Sequence, residues 1–178
     1  MPRRLTSTAQ ALVLTAVVSI AGCKNGAPEA VSPAVTSTAV ARVGDGDSIE
    51  LEGGERVRLL QIDAPELGEG ECYGDEAYGL LETLLPPGSA VTLERDPSLD
   101  DRDRFARLLR YVVVDGLNVN VELVRRGAAT PYFFGTDEGR HADELLAALD
   151  EARDERRGMW AACVVDWSPT RQVATTYR

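Results

Sequence analysis

Three short segments of this chain bring charged side chains close together. They are Asp45-Gly46-Asp47-Ser48, the run from Arg58 to Glu66 (Arg-Leu-Leu-Gln-Ile-Asp-Ala-Pro-Glu), and Asp103-Arg104-Phe105-Ala106-Arg107. Carboxylates can ligate a hard cation or accept a proton, and a guanidinium fork can hold two oxygens of an anion. Taken singly, each segment has an ordinary explanation. Asp-Gly is a good hairpin signal, an arginine on a strand is commonly solvated, and Asp-Ala-Pro-Glu is a turn leading toward a helix. Other chemistries are excluded. The sole histidine, His141, lies in a charged helical stretch and cannot furnish a histidine-based centre, and no Ser-His-Asp set is evident. Nor does Asp45-Gly46-Asp47 open an EF-hand loop, because Ile49 stands at its fifth position and Glu50 where glycine is required.

The elements that must position these residues are mainly strands. β-Forming runs at 39–43, 48–51 and 56–60 are separated by Asp-Gly and Gly-Gly turns, the pattern of a three-stranded antiparallel meander. Helical spacing over 75–85 puts Ala77, Leu80, Leu81 and Leu84 on one side, and Pro86-Pro87-Gly88 ends it. Strands are predicted at 90–94 and 108–114, a short helix at 119–126 stopped by Gly127, and a longer charged helix at 137–157. Trp160 and Trp167 read as packing residues near its end. Five strands with interspersed helices fit an α+β, mainly β class: a five-stranded OB-fold barrel carrying about three packed helices. Strict alternation from Val57 to Asp63 would turn Arg58 and Asp63 to opposite faces. They can converge only if the strand ends or bulges first, so Asp63 is expected at the strand's exit.

The chain is acidic, with a formal charge of −10, which argues against a duplex binder that coats phosphates with lysine and arginine. Any nucleic-acid function rests on a few well-placed cations. At the N-terminus, Arg3 and Arg4 precede an apolar stretch at 11–21, shorter than the ~20 residues of a membrane span. Ile20-Ala21-Gly22-Cys23 then resembles the lipobox of bacterial lipoprotein signal peptides. Residues 1–22 are therefore assigned as a leader, and 23–38 as a flexible tether beginning at lipidated Cys23. The folded domain is assigned to 39–165 and a polar, loosely held tail to 166–178. The implied location is outside the cytoplasm, anchored to the cell envelope, with no obligate protein partner evident. That compartment permits a disulfide between Cys72 and Cys163, the remaining cysteines; two buried free thiols are the alternative.

In this order, the three charged segments resemble the staphylococcal nuclease (thermonuclease) family. Leu123 to Ala129 and Gly158-Met159-Trp160 extend the resemblance over about 39–162. It implies that Asp47 and Asp63 are metal carboxylates and that the Ala64 main-chain carbonyl is a further oxygen ligand, a set suited to Ca²⁺ rather than zinc. Glu66 matches the family's general base, and Arg58 and Arg107 match the guanidinium groups on the scissile phosphate. Arg104, Phe105, Tyr132 and Phe134 match substrate-binding positions. The implied activity is calcium-dependent hydrolysis of DNA or RNA with 3′-phosphate products. Some features depart from the family. Leu67 to Glu71 is short and acidic where its best-known member has a lysine-bearing loop, and Phe105 and Phe134 replace tyrosines. Phenylalanine can stack on a base but cannot hydrogen-bond to phosphate. The alternative function is a catalytically silent OB-fold lipoprotein that binds nucleic acid or protein.

Overall fold

Alternating β-formers around the Asp-Gly and Gly-Gly turns build the first three strands. The computed structural model describes residues 35–178 apart from Glu69. These three strands are β1 (Val35–Asp45), β2 (Ser48–Leu51) and β3 (Arg56–Leu59), followed by a two-residue strand β4 (Ile62–Asp63). Helix α1 (Gly74–Leu84) leads to β5 (Ala90–Glu94) and β6 (Leu108–Val114). Then come β7 (Leu117–Asn118), α2 (Val119–Arg125), β8 (Thr130–Pro131), α3 (Ala142–Asp154) and the one-turn α4 (Met159–Ala162). The chain ends in β9 (Cys163–Ser168) and β10 (Arg171–Tyr177).

A long β1 makes the barrel possible, because one half pairs with β2 and the other with β5. β5 pairs in turn with β6, and β6 lies parallel to β3 with Val57 opposite Leu108, which closes the five-stranded barrel. Every second side chain enters it: Val40, Ile49, Val57, Leu59, Val91, Leu93 and Val112 are all buried. α1 contributes Ala77 and Leu81 to this core, α2 contributes Leu123 and Val124, and α3 contributes Leu145 and Leu149. Asn118 caps α2 by accepting from the N–H groups of Asn120 and Val121. The predicted class, an α+β OB-fold barrel with packed helices, is the observed one.

Three expectations change. Residues 35–38, assigned to the tether, are strand, paired with β5 from Val35–Glu94 to Ala39–Ala90. The long charged helix spans only 142–154, because tertiary hydrogen bonds hold the segment before it. Asp137 O accepts from Gln61 Nε2, Gly139 N–H donates to Gln61 Oε1, and Arg140 N–H donates to Asp96 Oδ2. The C-terminal residues form the hairpin β9–β10 rather than a loose tail. Its Val173 and Thr175 are buried, and Cys163 at its start is disulfide-bonded to Cys72 with Cα atoms 5.9 Å apart. The leader, Cys23 and the tether before residue 35 lie outside the described residues. No described helix is long and apolar enough to cross a membrane.

Candidate active site

The turn between β1 and β2 carries the first carboxylates. Gly46 lets it press against its neighbours, since a Cβ there would lie 2.8 Å from Ala64 Cβ and 3.0 Å from Ala77 Cβ. Asp45 Oδ1 accepts from Gly46 N–H (2.7 Å) and Leu67 N–H (3.1 Å), tying this turn to the loop that bears Glu66. Asp47 Oδ2 accepts from Ala64 N–H at 3.1 Å. Glu71 folds inward and accepts from Glu66 N–H at 2.9 Å, so that part of the acidic loop serves to shape the site.

The exit of β3 supplies the next two groups. β3 stops at Leu59, and Gln61 takes a left-handed conformation (φ +60°), after which β4 resumes in a new direction against β8. Leu60 is held on both sides: its N–H donates to Arg110 O, and its carbonyl accepts from the buried Asn120 side chain. Gln61 repays its unfavourable backbone with four hydrogen bonds, to Tyr111, Tyr132, Asp137 and Gly139. The expected break before Asp63 is present, and its consequence is direct. Arg58 Nη2 stands 2.7 Å from Asp47 Oδ2 and 2.8 Å from Asp63 Oδ1, while Nη1 donates to the carbonyls of Leu59 and Ile62.

Crowding of acids is visible in their proton affinities. The hydrogen bond with Asp45 pushes Glu66 up to about 8, helped by burial and by the charges of Asp45, Asp47 and Asp63. Burial raises Asp47 to about 6 against the pull of Arg58, and burial also raises Asp63. Asp45, Asp47, Asp63 and Glu66 thus share one neighbourhood, in which Arg58 is the cation paired with Asp47 and Asp63. Such an all-oxygen, under-compensated set fits a hard divalent cation better than zinc. Among the described residues no three acidic, histidine or cysteine side chains close into a ready-made cage. Asp47 and Asp63 are the pair that a cation would share.

Arg107 approaches from the loop before β6. Asp103 Oδ2 accepts from its Nε at 2.6 Å, and Asp103 Oδ1 accepts from the N–H groups of Phe105 and Arg107. Arg107 also lines a cleft of about 270 Å³ with Arg42, Asp45, Ser48, Glu50 and Arg56. Phe105 is exposed and flanked by Arg104 and Arg107, whose guanidinium carbons lie 4.7 and 5.6 Å from its ring centre. Tyr132 and the exposed Phe134 form a separate edge-to-face pair, with centroids 6.5 Å apart.

The staphylococcal nuclease homologue family model matches residues 56–162, the span that holds Arg58, Asp63, Glu66 and Arg107 in this arrangement. The chain belongs to the staphylococcal nuclease family. It is 39% identical over 127 residues to a protein of Escherichia coli O157:H7 named an uncharacterized endonuclease, covering 68% of this chain and 75% of that one. It is 33% identical over 136 residues to endonuclease YhcR of Bacillus subtilis, covering 68% of this chain but only 11% of YhcR. With endonuclease YncB of the same organism it shares 32% over 124 residues, 66% of this chain and 58% of YncB.

Sequence reasoning missed three participants. In the sequence Asp45 reads as part of a hairpin signal, whereas in the fold it contacts the Glu66 loop. For Asp103 the only signal in the sequence is its i,i+4 spacing to Arg107. The third is β10, whose Val173 N–H donates to Asp63 Oδ2 at 2.8 Å. Alternating β-formers at Val173, Thr175 and Tyr177 were its only trace in the sequence.

Proposed function

We propose that this family member is a calcium-dependent endonuclease that hydrolyses DNA or RNA phosphodiesters to 3′-phosphate products. The reading is carried by one juxtaposition: Arg58 against both Asp47 and Asp63, with the Glu66 carboxyl in the same acidic cluster. Asp47, Asp63 and the Ala64 carbonyl are the groups that would hold the cation. Calcium, when bound, supplies Lewis-acid polarisation of a phosphate oxygen and orders water. Glu66, in its ionised form, is the carboxylate that would take a proton from the attacking water, and cation charge beside the acidic cluster favours that form. Arg107 is held through its Nε by Asp103, so its Nη groups remain outside that pair to face phosphate oxygens, and Arg58 offsets their growing charge. Phe105, Arg104, Tyr132 and Phe134 offer stacking faces and charge to the nucleotides on either side. In an otherwise acidic chain, Arg42, Arg56 and Arg107 gather the cations that a nucleic-acid strand requires.

The test is hydrolysis of denatured DNA and of RNA by the full chain, in Ca²⁺ or in chelator, with product ends determined. Cleavage is expected in Ca²⁺ alone, and Glu66→Gln is expected to reduce kcat by about 10²–10⁴-fold. Undiminished activity in chelator, or in Glu66→Gln, would sink the mechanism. Binding without cleavage would point to the silent module instead. We also propose export and anchoring through lipid on Cys23. Incorporation of labelled fatty acid into the chain, abolished by Cys23→Ser, is the expected result.

A further inference from the structure

The hairpin β9–β10 begins where the family match ends, at residue 162, yet it reaches the centre of the site. Its ladder is irregular. Ala174 pairs with Asp166 and Thr175 with Val165, but Arg171 pairs with Ser168, which leaves one extra residue in β10 between 171 and 174. Such a bulge turns backbone groups out of the ladder. Gln172 and Val173, which have no partner in this register, turn toward Asp63. Val173 N–H donates to Asp63 Oδ2 at 2.8 Å, and Gln172 Nε2 reaches Oδ1 at 3.4 Å. Among the described residues, Val173 N–H is the only donor to that Oδ2.

The bulge is held in place from several directions. Thr175 Oγ1 donates to Cys72 O, and the Cys72–Cys163 disulfide ties the base of the hairpin to the segment after the Glu66 loop. Trp167 Nε1 donates to Pro131 O, and Pro169 O accepts from Phe133 N–H, docking the turn onto the segment around β8. β8 itself pairs with Asp63 through Thr130. Asp63 is therefore gripped by β8 through its backbone and by β10 through its carboxylate.

We infer that the bulge at Gln172–Val173 is a positioning device for the Asp63 carboxylate, making the C-terminal hairpin a working part of the cation site. This rests on the proposed role of Asp63 as a cation ligand. A carboxylate that accepts from a fixed N–H keeps its orientation; Arg58 and Gln172 engage Oδ1, and the second lone pair of Oδ2 is left for the cation without a rotational search. Outer contacts of this kind are worth about 10–100-fold in metal affinity. Gln172 and Val173 act through Asp63, not on substrate.

The experiment is calorimetric titration of Ca²⁺ into three proteins: the intact chain, a chain ending at Ser168, and one with Gln172 deleted. The deletion removes the bulge and restores regular pairing while keeping the disulfide and the hairpin. Circular dichroism and thermal unfolding report folding, and kcat is measured across Ca²⁺ concentrations. We expect Ca²⁺ affinity of the two variants to fall about 10–100-fold. The deletion variant should retain its melting temperature and recover most of its kcat at saturating Ca²⁺. If the shortened chain does not fold, the deletion variant decides. Unchanged affinity in a folded variant overturns the inference and leaves the nuclease reading intact. Tighter binding also overturns it, because the hairpin would then compete with the cation. An intact chain that neither binds Ca²⁺ nor needs it for cleavage overturns both.

Discussion

Arg58 and Arg107 are both bound to acids, and the manner of binding separates their roles. Arg58 lies partly buried between Asp47 and Asp63, and its guanidinium is fixed by two charges and two carbonyls. Arg107 is fixed at one nitrogen only, by Asp103. Asp103 therefore sets where the Arg107 fork points, and it also organises the loop by accepting from Phe105 and Arg107 N–H groups. Asp103→Ala should lower kcat by about 10²-fold through misplacement of the guanidinium. The melting temperature should fall modestly, because the ion pair and the two loop hydrogen bonds to Asp103 are lost together, so kinetics are compared where both proteins are folded. Steady-state kinetics beside thermal unfolding checks this, and a loss confined to KM would count against it. Ala106, next to Arg107, sits at φ +62°, a conformation that costs a residue with a Cβ about 1–3 kcal/mol.

Turns rather than strands do the positioning. The β1–β2 turn must lie against α1 and the Ala64 segment for Asp47 to meet Arg58, and only glycine fits at 46. Gly46→Ala should cost about 1–3 kcal/mol, because Ala64 and Ala77 are backbone-borne methyls that cannot rotate away. Since the shifted turn carries Asp45 and Asp47, activity should fall beyond what unfolding explains. Urea denaturation paired with activity in folded conditions is the measurement. The β3 exit works in the same way. Asn120, fully buried, bonds Leu60 O, Arg110 O and Val112 N–H, joining α2 to the strand whose end aims Asp63.

At the scale of the molecule, the carboxyls held below their ordinary values decide behaviour at low pH. Burial works against the charge on Asp96, Asp103 and Glu122, but their hydrogen bonds prevail and hold each below its ordinary value. For Asp96 the partners are Arg140 N–H, Ser98 N–H and the Ser98 hydroxyl. A depressed carboxyl stabilises the fold above its unfolded value, 3.8 for Asp, and that stability is lost as pH falls through the folded value. Asp47, Asp63 and Glu66 have the opposite sign: raised in the fold, they remove stability as pH rises toward neutrality. Unfolding free energy is thus expected to drop steeply below pH 3.8, and Asp96→Asn should flatten that drop. A pH series of urea titrations on both proteins tests it, and identical acid limbs would refute the assignment.

The sequence by itself determined what depends on neighbours along the chain. Strands at 90–94 and 108–114, the meander, the break before Asp63 and the pairing of Cys72 with Cys163 could all be read from alternation, turn residues or cysteine arithmetic. The acidic cluster was legible as well, because Asp45 to Asp47 and Arg58 to Glu66 are compact motifs. Only the tertiary structure decided what depends on distant partners. The start of α3 at Ala142 follows from hydrogen bonds to Gln61 and Asp96, which no local pattern reports. Asn120 reads as an unremarkable helix residue until the barrel closes around it. The stretch 166–178 reads as a polar tail because only Val173 and Thr175 are buried within it, and its bulge exists only in pairing with β9. Hydrogen bonds are short and directional, so a contact between Asp63 and Val173, 110 residues apart, becomes visible only once the chain has folded.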